Sequence, residues 1–251
     1  MKKLINNLFS DKYVNHRAVE GNFVLLLMYR FAYPFAFLLN RLGLSPNKIT
    51  TLSLVFSILA FIALVYDQGV ILFSFFWGTA VLLDFCDGTV ARMANKVSKS
   101  AFRYDHMSDL FKIPLIILGA GLRYDDYLVW ILAFSASFLF MYLALLNHDL
   151  GCIKKCAEKT KQLSNGEDSV TPRPRLRERY RIVAWITKHN LLYKTIINLQ
   201  ALLLTINGHM LLLFFLLPLS PEFAIGALSF LIFISLFGIR SRVATLLKMQ
   251  R

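Results

Sequence analysis

Apolar residues come in long runs in this chain, separated by short polar stretches rather than alternating with them. Runs of roughly 20 residues occupy about 49–66, 70–92, 101–122, 127–147, 192–217 and 222–239. At 1.5 Å per residue, about 20 helical residues match the ~30 Å apolar core of a bilayer, so each run predicts a membrane-spanning helix. The expected fold class is all-α: a polytopic membrane protein with six transmembrane helices. A further apolar stretch, 19–42, is broken by Arg30 and Pro34 and predicts an N-terminal amphipathic helix lying along the interface. Ser45-Pro46 reads as a helix start, because serine caps well and proline is tolerated at the first helical position. The expected division is a cytosolic arm with the interfacial helix at 1–48, then a six-helix transmembrane domain at 49–251. Residues 148–190 predict a basic surface loop or short helix, broken around Thr171-Pro172-Arg173-Pro174.

Polar residues inside the runs change the picture. Asp84, Asp87, Asp105 and Asp109 all lie in segments expected to be membrane helices, where ionisable groups are costly and mark function. At about 100° per residue, Asp84, Asp87, Gly88 and Ala91 share one face within roughly a 100° arc. Asp105 and Asp109 are i,i+4 on the next helix, and the short linker predicts that the two helices are antiparallel neighbours. Like charges this close cannot all ionise unless a cation sits among them. All-oxygen ligands suit Mg²⁺ or Mn²⁺ rather than zinc or copper. Gly88 and Ala91 clear bulk from the same face, and Arg92 adds a fixed positive charge. Metal, open backbone and arginine together suit a diphosphate.

The stretch Asp84-x2-Asp87-Gly88-x2-Ala91-Arg92, followed at matching spacing by Ala101, Asp105 and Asp109, resembles the CDP-alcohol phosphotransferase family pattern D-x2-D-G-x2-A-R-x8-G-x3-D-x3-D. The one departure is Ala101, where the family has glycine. The resemblance implies that Asp84, Asp87 and Asp105 hold metal, and that Asp109 is the general base and also touches a second ion. It implies donor binding by Asn47, Thr50, Gly88, Ala91, Arg92 and Ser98. The implied reaction moves a substituted phosphate from a CDP-linked donor, CDP-diacylglycerol first, to an alcohol hydroxyl, releasing CMP in phospholipid biosynthesis. Two alternatives stand beside it: a CDP-choline or CDP-ethanolamine type of transfer to a diglyceride, and a non-enzymatic cation transporter. The fixed Gly-x2-Ala-Arg spacing has no evident use in a transporter. A homodimer is expected from the family alone.

Lys112 is a basic residue near the middle of the predicted span 101–122. It shares a helix face with Asp105 and Asp109, which makes it an acceptor-binding candidate or a counter-charge to the aspartates.

Composition enters through topology. The chain has 251 residues, 57% of them hydrophobic, with formal net charge +13. With six spans and both termini cytosolic, the inner segments hold nearly all 28 Lys and Arg. The outer turns at 67–69, 123–126 and 218–222 hold only Arg123, as the positive-inside rule demands. A seventh span at 19–42 would carry Lys2, Lys3, Lys12 and Arg17 outside. The expected location is the cell membrane, multi-pass, with the active site facing the cytosol. No secretory signal is evident in residues 1–18. The basic stretch at 148–190 fits either topology or contact with anionic head groups. Three cysteines do not suggest a disulfide framework. His148, Cys152 and Cys156, spaced by four, fit one helix face but lack a clear fourth zinc ligand.

Overall fold

The computed structural model describes Tyr13, residues 23–67, 69–164, Thr195 and 214–249. The basic arm at 1–18 (Tyr13 aside), the loop read at 165–190 and nearly all of the predicted fifth span lie outside the described residues.

Every regular element among the described residues is an α-helix. These are α1 (Phe23–Arg41), α2 (Pro46–Val65), α3 (Val70–Met93), α4 (Lys99–Tyr124), α5 (Tyr127–Ser164), the single turn α6 (Phe214–Leu216) and α7 (Pro221–Met249). Four stretches are long and apolar enough to cross a membrane: Pro46–Val65, Val70–Met93, Tyr127–Ile153 and Pro221–Lys248. They make this a multi-pass membrane protein. At 26 residues α4 has the length to cross as well. It stands outside those four because Asp105, Asp109 and Lys112 crowd its first half.

Local chemistry sets the helix ends. Pro46 opens α2 after Ser45, whose backbone is extended but whose side chain makes no capping bond. Ser98 caps α4, its hydroxyl accepting from the Ala101 amide at 3.1 Å. Asp126 caps α5, accepting from the amides of Leu128 and Val129 at 2.8 and 3.0 Å. Asp125 ends α4 in the left-handed conformation with φ 48°, which aspartate tolerates better than most residues. Where a basic surface loop or short helix was expected from residue 148, α5 continues unbroken to Ser164. Its 38 residues span about 57 Å, nearly twice the ~30 Å apolar core, so its last turns project beyond the membrane.

α2 is the central helix, packed on both α3 and α4, while α4 packs on α5, α5 on α7, and α1 on α3. Its buried face is small and weakly polar: Ser53, Ser57, Ala60 and Ala63. Small residues let helix backbones approach closely where no water drives association. The Ser53 hydroxyl donates to the Ala80 carbonyl of α3 at 2.9 Å. On the other side, a Cβ added at Gly119 of α4 would meet Leu64 and Phe61 side chains at 3.0 Å. α3 and α4, expected to be antiparallel neighbours, each pack mainly on α2 and make little backbone contact with each other. The gap between them is filled by the side chains of the site.

The opposite end of the bundle is tied by Arg123. Its guanidinium donates to the carbonyls of Leu64 and Pro218 at 3.2 and 3.1 Å and pairs with Asp67 at 2.7 Å. The neighbouring Tyr124 hydroxyl donates to the Leu217 carbonyl at 2.6 Å. Asp67 is 72% exposed, so its share of the ion pair is screened and contributes little. The Leu64 carbonyl, otherwise met only by the long 3.4 Å bond from the Asp67 amide, and the Pro218 carbonyl depend on the arginine more heavily. Arg123→Met is therefore expected to cost about 2–4 kcal/mol, and Asp67→Asn less than about 1 kcal/mol, read as thermal stability in detergent. Equal losses in the two variants would show that the ion pair, not the carbonyl bonds, ties this end.

Candidate active site

Three helices deliver the site. α3 brings Asp84, Asp87, Gly88, Ala91 and Arg92 on its last turns. α4 brings Ser98, Ala101, Asp105, Asp109 and Lys112 on its first half. α2 brings Asn47, Thr50 and Ser53. Carboxylate oxygens of Asp84, Asp105 and Asp109 all lie within 4.8 Å of one another. Asp87 stands beside this trio rather than within it. It is 5% exposed, and its Oδ2 accepts from the Thr50 hydroxyl at 2.6 Å. One residue of α2 thus fixes the carboxylate that the motif places next to Gly88.

Lys112 lies on the inner side of the cluster. Its Nζ is 2.5 Å from Asp84 Oδ1 and 2.8 Å from Asp109 Oδ1. Only 1% of the residue is exposed, and it does not line the cleft described next.

A cleft of about 200 Å³ opens against the aspartates. Every residue the sequence nominated for donor binding lines it: Asn47, Thr50, Gly88, Ala91, Arg92 and Ser98. Asp87, Asp105 and Ala101 line it too, with Pro46, Val97 and Phe102. A Cβ at Gly88 would sit 3.4 Å from Arg92 Nη1, in the space the guanidinium and the cleft share. Arg92 is held from three sides. Its Nε donates to the Tyr13 carbonyl, Nη2 lies 3.3 Å from Thr89 Oγ1, and the guanidinium stacks over the Tyr29 ring at 5.3 Å. Tyr13, Tyr29, Thr89 and Ser53 were not nominated from sequence. Each acts on a residue far along the chain or through a common hydroxyl, and no local pattern marks them.

The residues fit a hard divalent cation. Three carboxylates converge, and Asp105 Oδ1 is buried with no hydrogen-bond partner among the described residues. A buried oxygen left without a donor is costly unless a cation completes it. The aspartates are the one cluster among the described residues with three such ligand atoms in reach. At the other thiol position, Cys152 Sγ lies 4.0 Å from His148 Nε2, and the His106 ring lies parallel to His148 with centroids 6.1 Å apart. The Cys156 side chain lies outside the described residues.

Residues 43–162 match the CDP-alcohol phosphatidyltransferase family. The matched segment contains the whole aspartate motif and the cleft from Pro46 to Asp105. A search of curated proteins gave no match. The family is one of transferases that move a phosphatidyl group from a CDP-alcohol to another alcohol.

Ala101 replaces the family's second glycine and faces the cleft. Ala101→Gly is expected to keep CMP affinity within about twofold, whereas Ala101→Leu, with three more carbons in the cleft, should weaken it by tenfold or more, about 1.4 kcal/mol. Calorimetric titration of CMP into the purified variants checks this. Tight binding by the Leu variant would show that this wall of the cleft does not meet the nucleotide.

Proposed function

We propose that this protein is an integral-membrane enzyme that transfers the phosphatidyl group of CDP-diacylglycerol to the hydroxyl of a small alcohol, releasing CMP. The observation that carries the reading is the convergence of three aspartate oxygens beside a cleft that also presents Gly88, Ala91 and Arg92. That combination supports an oxygen-ligand metal site, an open stretch of helix backbone and a fixed cation around one volume. A diphosphate needs all three.

In this reading Asp84 and Asp105, with Asp87 beside them on Thr50, would hold Mg²⁺ or Mn²⁺, which when bound would neutralise the diphosphate and the charge on the leaving CMP. Arg92, oriented by Tyr29 and the Tyr13 carbonyl, faces the donor phosphates. Asn47, Thr50 and Ser98 line the nucleotide side. The acceptor oxygen attacks the phosphorus distal to cytidine, and the bond from that phosphorus to the CMP oxygen breaks. The acceptor's proton passes to Asp109, whose carboxylate is held in place by Lys112. The product is a new phosphodiester in the lipid.

The membrane arrangement belongs to the same proposal. α4 and the stretch 192–217 complete six spans, with termini and site on the cytosolic side, where CDP-linked donors and Mg²⁺ are available. α1 lies along the interface: Ala32 and Ala36 are sealed against the bundle, while Leu27, Phe31, Phe35 and Leu38 are exposed toward lipid. The active form is a homodimer in a phospholipid-synthesising membrane.

The test is CMP release by the purified protein, offered CDP-diacylglycerol or CDP-amino alcohols against a panel of alcohols and diglycerides. Release is expected with CDP-diacylglycerol and a small polar alcohol. Asp84→Asn and Asp105→Asn should each lower the rate by about a hundredfold or more while the protein stays folded, a loss of roughly 3 kcal/mol of transition-state stabilisation. EDTA should abolish activity and Mg²⁺ or Mn²⁺ restore it. Release only with a CDP-amino alcohol and a diglyceride would reverse the lipid's role. Metal flux without CMP would make the aspartates an ion path instead.

A further inference from the structure

The ammonium of Lys112 is enclosed by the residues it serves. Besides Asp84 and Asp109, its remaining neighbour is Ser53 Oγ at 3.4 Å. Ser53 gives its own proton to the Ala80 carbonyl, so its oxygen presents a lone pair to the lysine. Behind the ammonium, Ser57, Trp77, Ala80 and Val81 close a crevice with no room for a water molecule. Lysine has a flexible stem, but this charge has no solvated position to swing to. Leaving the carboxylates would strand it unpaired in an apolar wall.

We propose that Lys112 is a built-in counter-ion that takes the place of a second divalent ion, so that the aspartate cluster holds one metal ion rather than two. This inference rests on the metal role proposed above and refines it. Between Asp109 and Asp84, where a second ion shared by these two carboxylates would need room, the lysine Nζ already lies at 2.8 and 2.5 Å. A divalent ion added there would press against an ammonium that is 1% exposed and backed by a crevice with no room for water. Asp105, whose Oδ1 is buried without a donor, has a carboxylate oxygen in the same 4.8 Å set and lines the cleft, which Lys112 does not. The one ion belongs on that side, toward the cleft. Lys112 is thus a positioning residue: it turns Asp84 and Asp109 and fixes how much positive charge the site accepts.

The experiment is Mn²⁺ titration of metal-stripped, full-length protein in detergent, followed by calorimetry and electron paramagnetic resonance. Sites that survive in the Asp84→Asn/Asp105→Asn double variant are subtracted as lying outside the cluster. Wild type is expected to bind one Mn²⁺ per chain, with the spectrum of an isolated ion. Lys112→Met, which keeps the length and removes the charge, is expected to bind two, with the spectrum of a spin-coupled pair. Lys112→Arg should stay at one. Two ions in wild type would overturn the inference while leaving the metal role intact. So would a folded Lys112→Met protein that still takes one ion at any affinity, since a merely structural lysine predicts that result. No Mn²⁺ binding in wild type would overturn the metal role itself. Should Lys112→Met fail to fold, the wild-type stoichiometry and spectrum decide alone.

Discussion

Charge placed beyond the reach of water must be answered from within the protein, and this condition shapes the end of the bundle that carries the aspartates. Removing an ion from water costs several kcal/mol even after relaxation, and breaking one partner of a buried pair costs more than the pair ever contributed. Here the answers can be followed one by one. Asp87 is met by the Thr50 hydroxyl, and Asp84 and Asp109 by the Lys112 ammonium. The lysine is backed by Ser53, which is anchored to the Ala80 carbonyl. Among the described residues, Asp105 Oδ1 is the one buried carboxylate oxygen left with neither a hydrogen bond nor an ion pair. A polar network with a single open position is a poor core but a good receptor, because the missing charge has a defined place and sign.

That network depends on α2, so the fold and the site cannot be separated. Ser53 and Ser57 do two things at once. They are small enough to let α3 and α4 close on either side of α2, and their hydroxyls find carbonyl partners that keep them from being buried unsatisfied. A larger residue at position 53 would push α3 away and also remove the oxygen that Lys112 leans on. Because α3 and α4 meet through α2 rather than directly, their facing ends stay far enough apart for carboxylates, a lysine and a cleft to fit between them.

Much of this was legible in the sequence, for identifiable reasons. Apolar run lengths located α2, α3, α4, α5 and α7 to within a few residues at their first turns, because a membrane leaves the backbone little alternative to helix. Helical phase brought Gly88 and Ala91 onto one face with the aspartates, and the spacing of the motif did the rest. Three features were not legible. The continuation of α5 to Ser164 runs through Lys154, Lys155 and Lys159, whose polarity reads as loop although a projecting helix satisfies its backbone equally well in water. The separation of α3 from α4 follows from α2 lying against both, and a short linker says nothing about a third helix. The partners of Arg92 come from Tyr13 and Tyr29, which lie dozens of residues away, with only the folded chain to join them.

Those partners bear on where the catalytic unit begins. The family match starts at residue 43, and a division of the chain at residue 48 would assign Tyr13 and Tyr29 to a separate arm. Yet the guanidinium at the rim of the cleft is set by the Tyr13 carbonyl and the Tyr29 ring, and α1 reaches α3 again where Cys86 Sγ lies 3.5 Å from the Ala32 carbonyl. An arginine that meets phosphate is effective in proportion to how well it is oriented beforehand, because its planar fork must be aimed and not merely present. The segment before residue 43 holds the Arg92 guanidinium in place at the rim of the cleft. In physical terms the site therefore extends from Tyr13 to Lys112, and α1 belongs to it as much as α2 does.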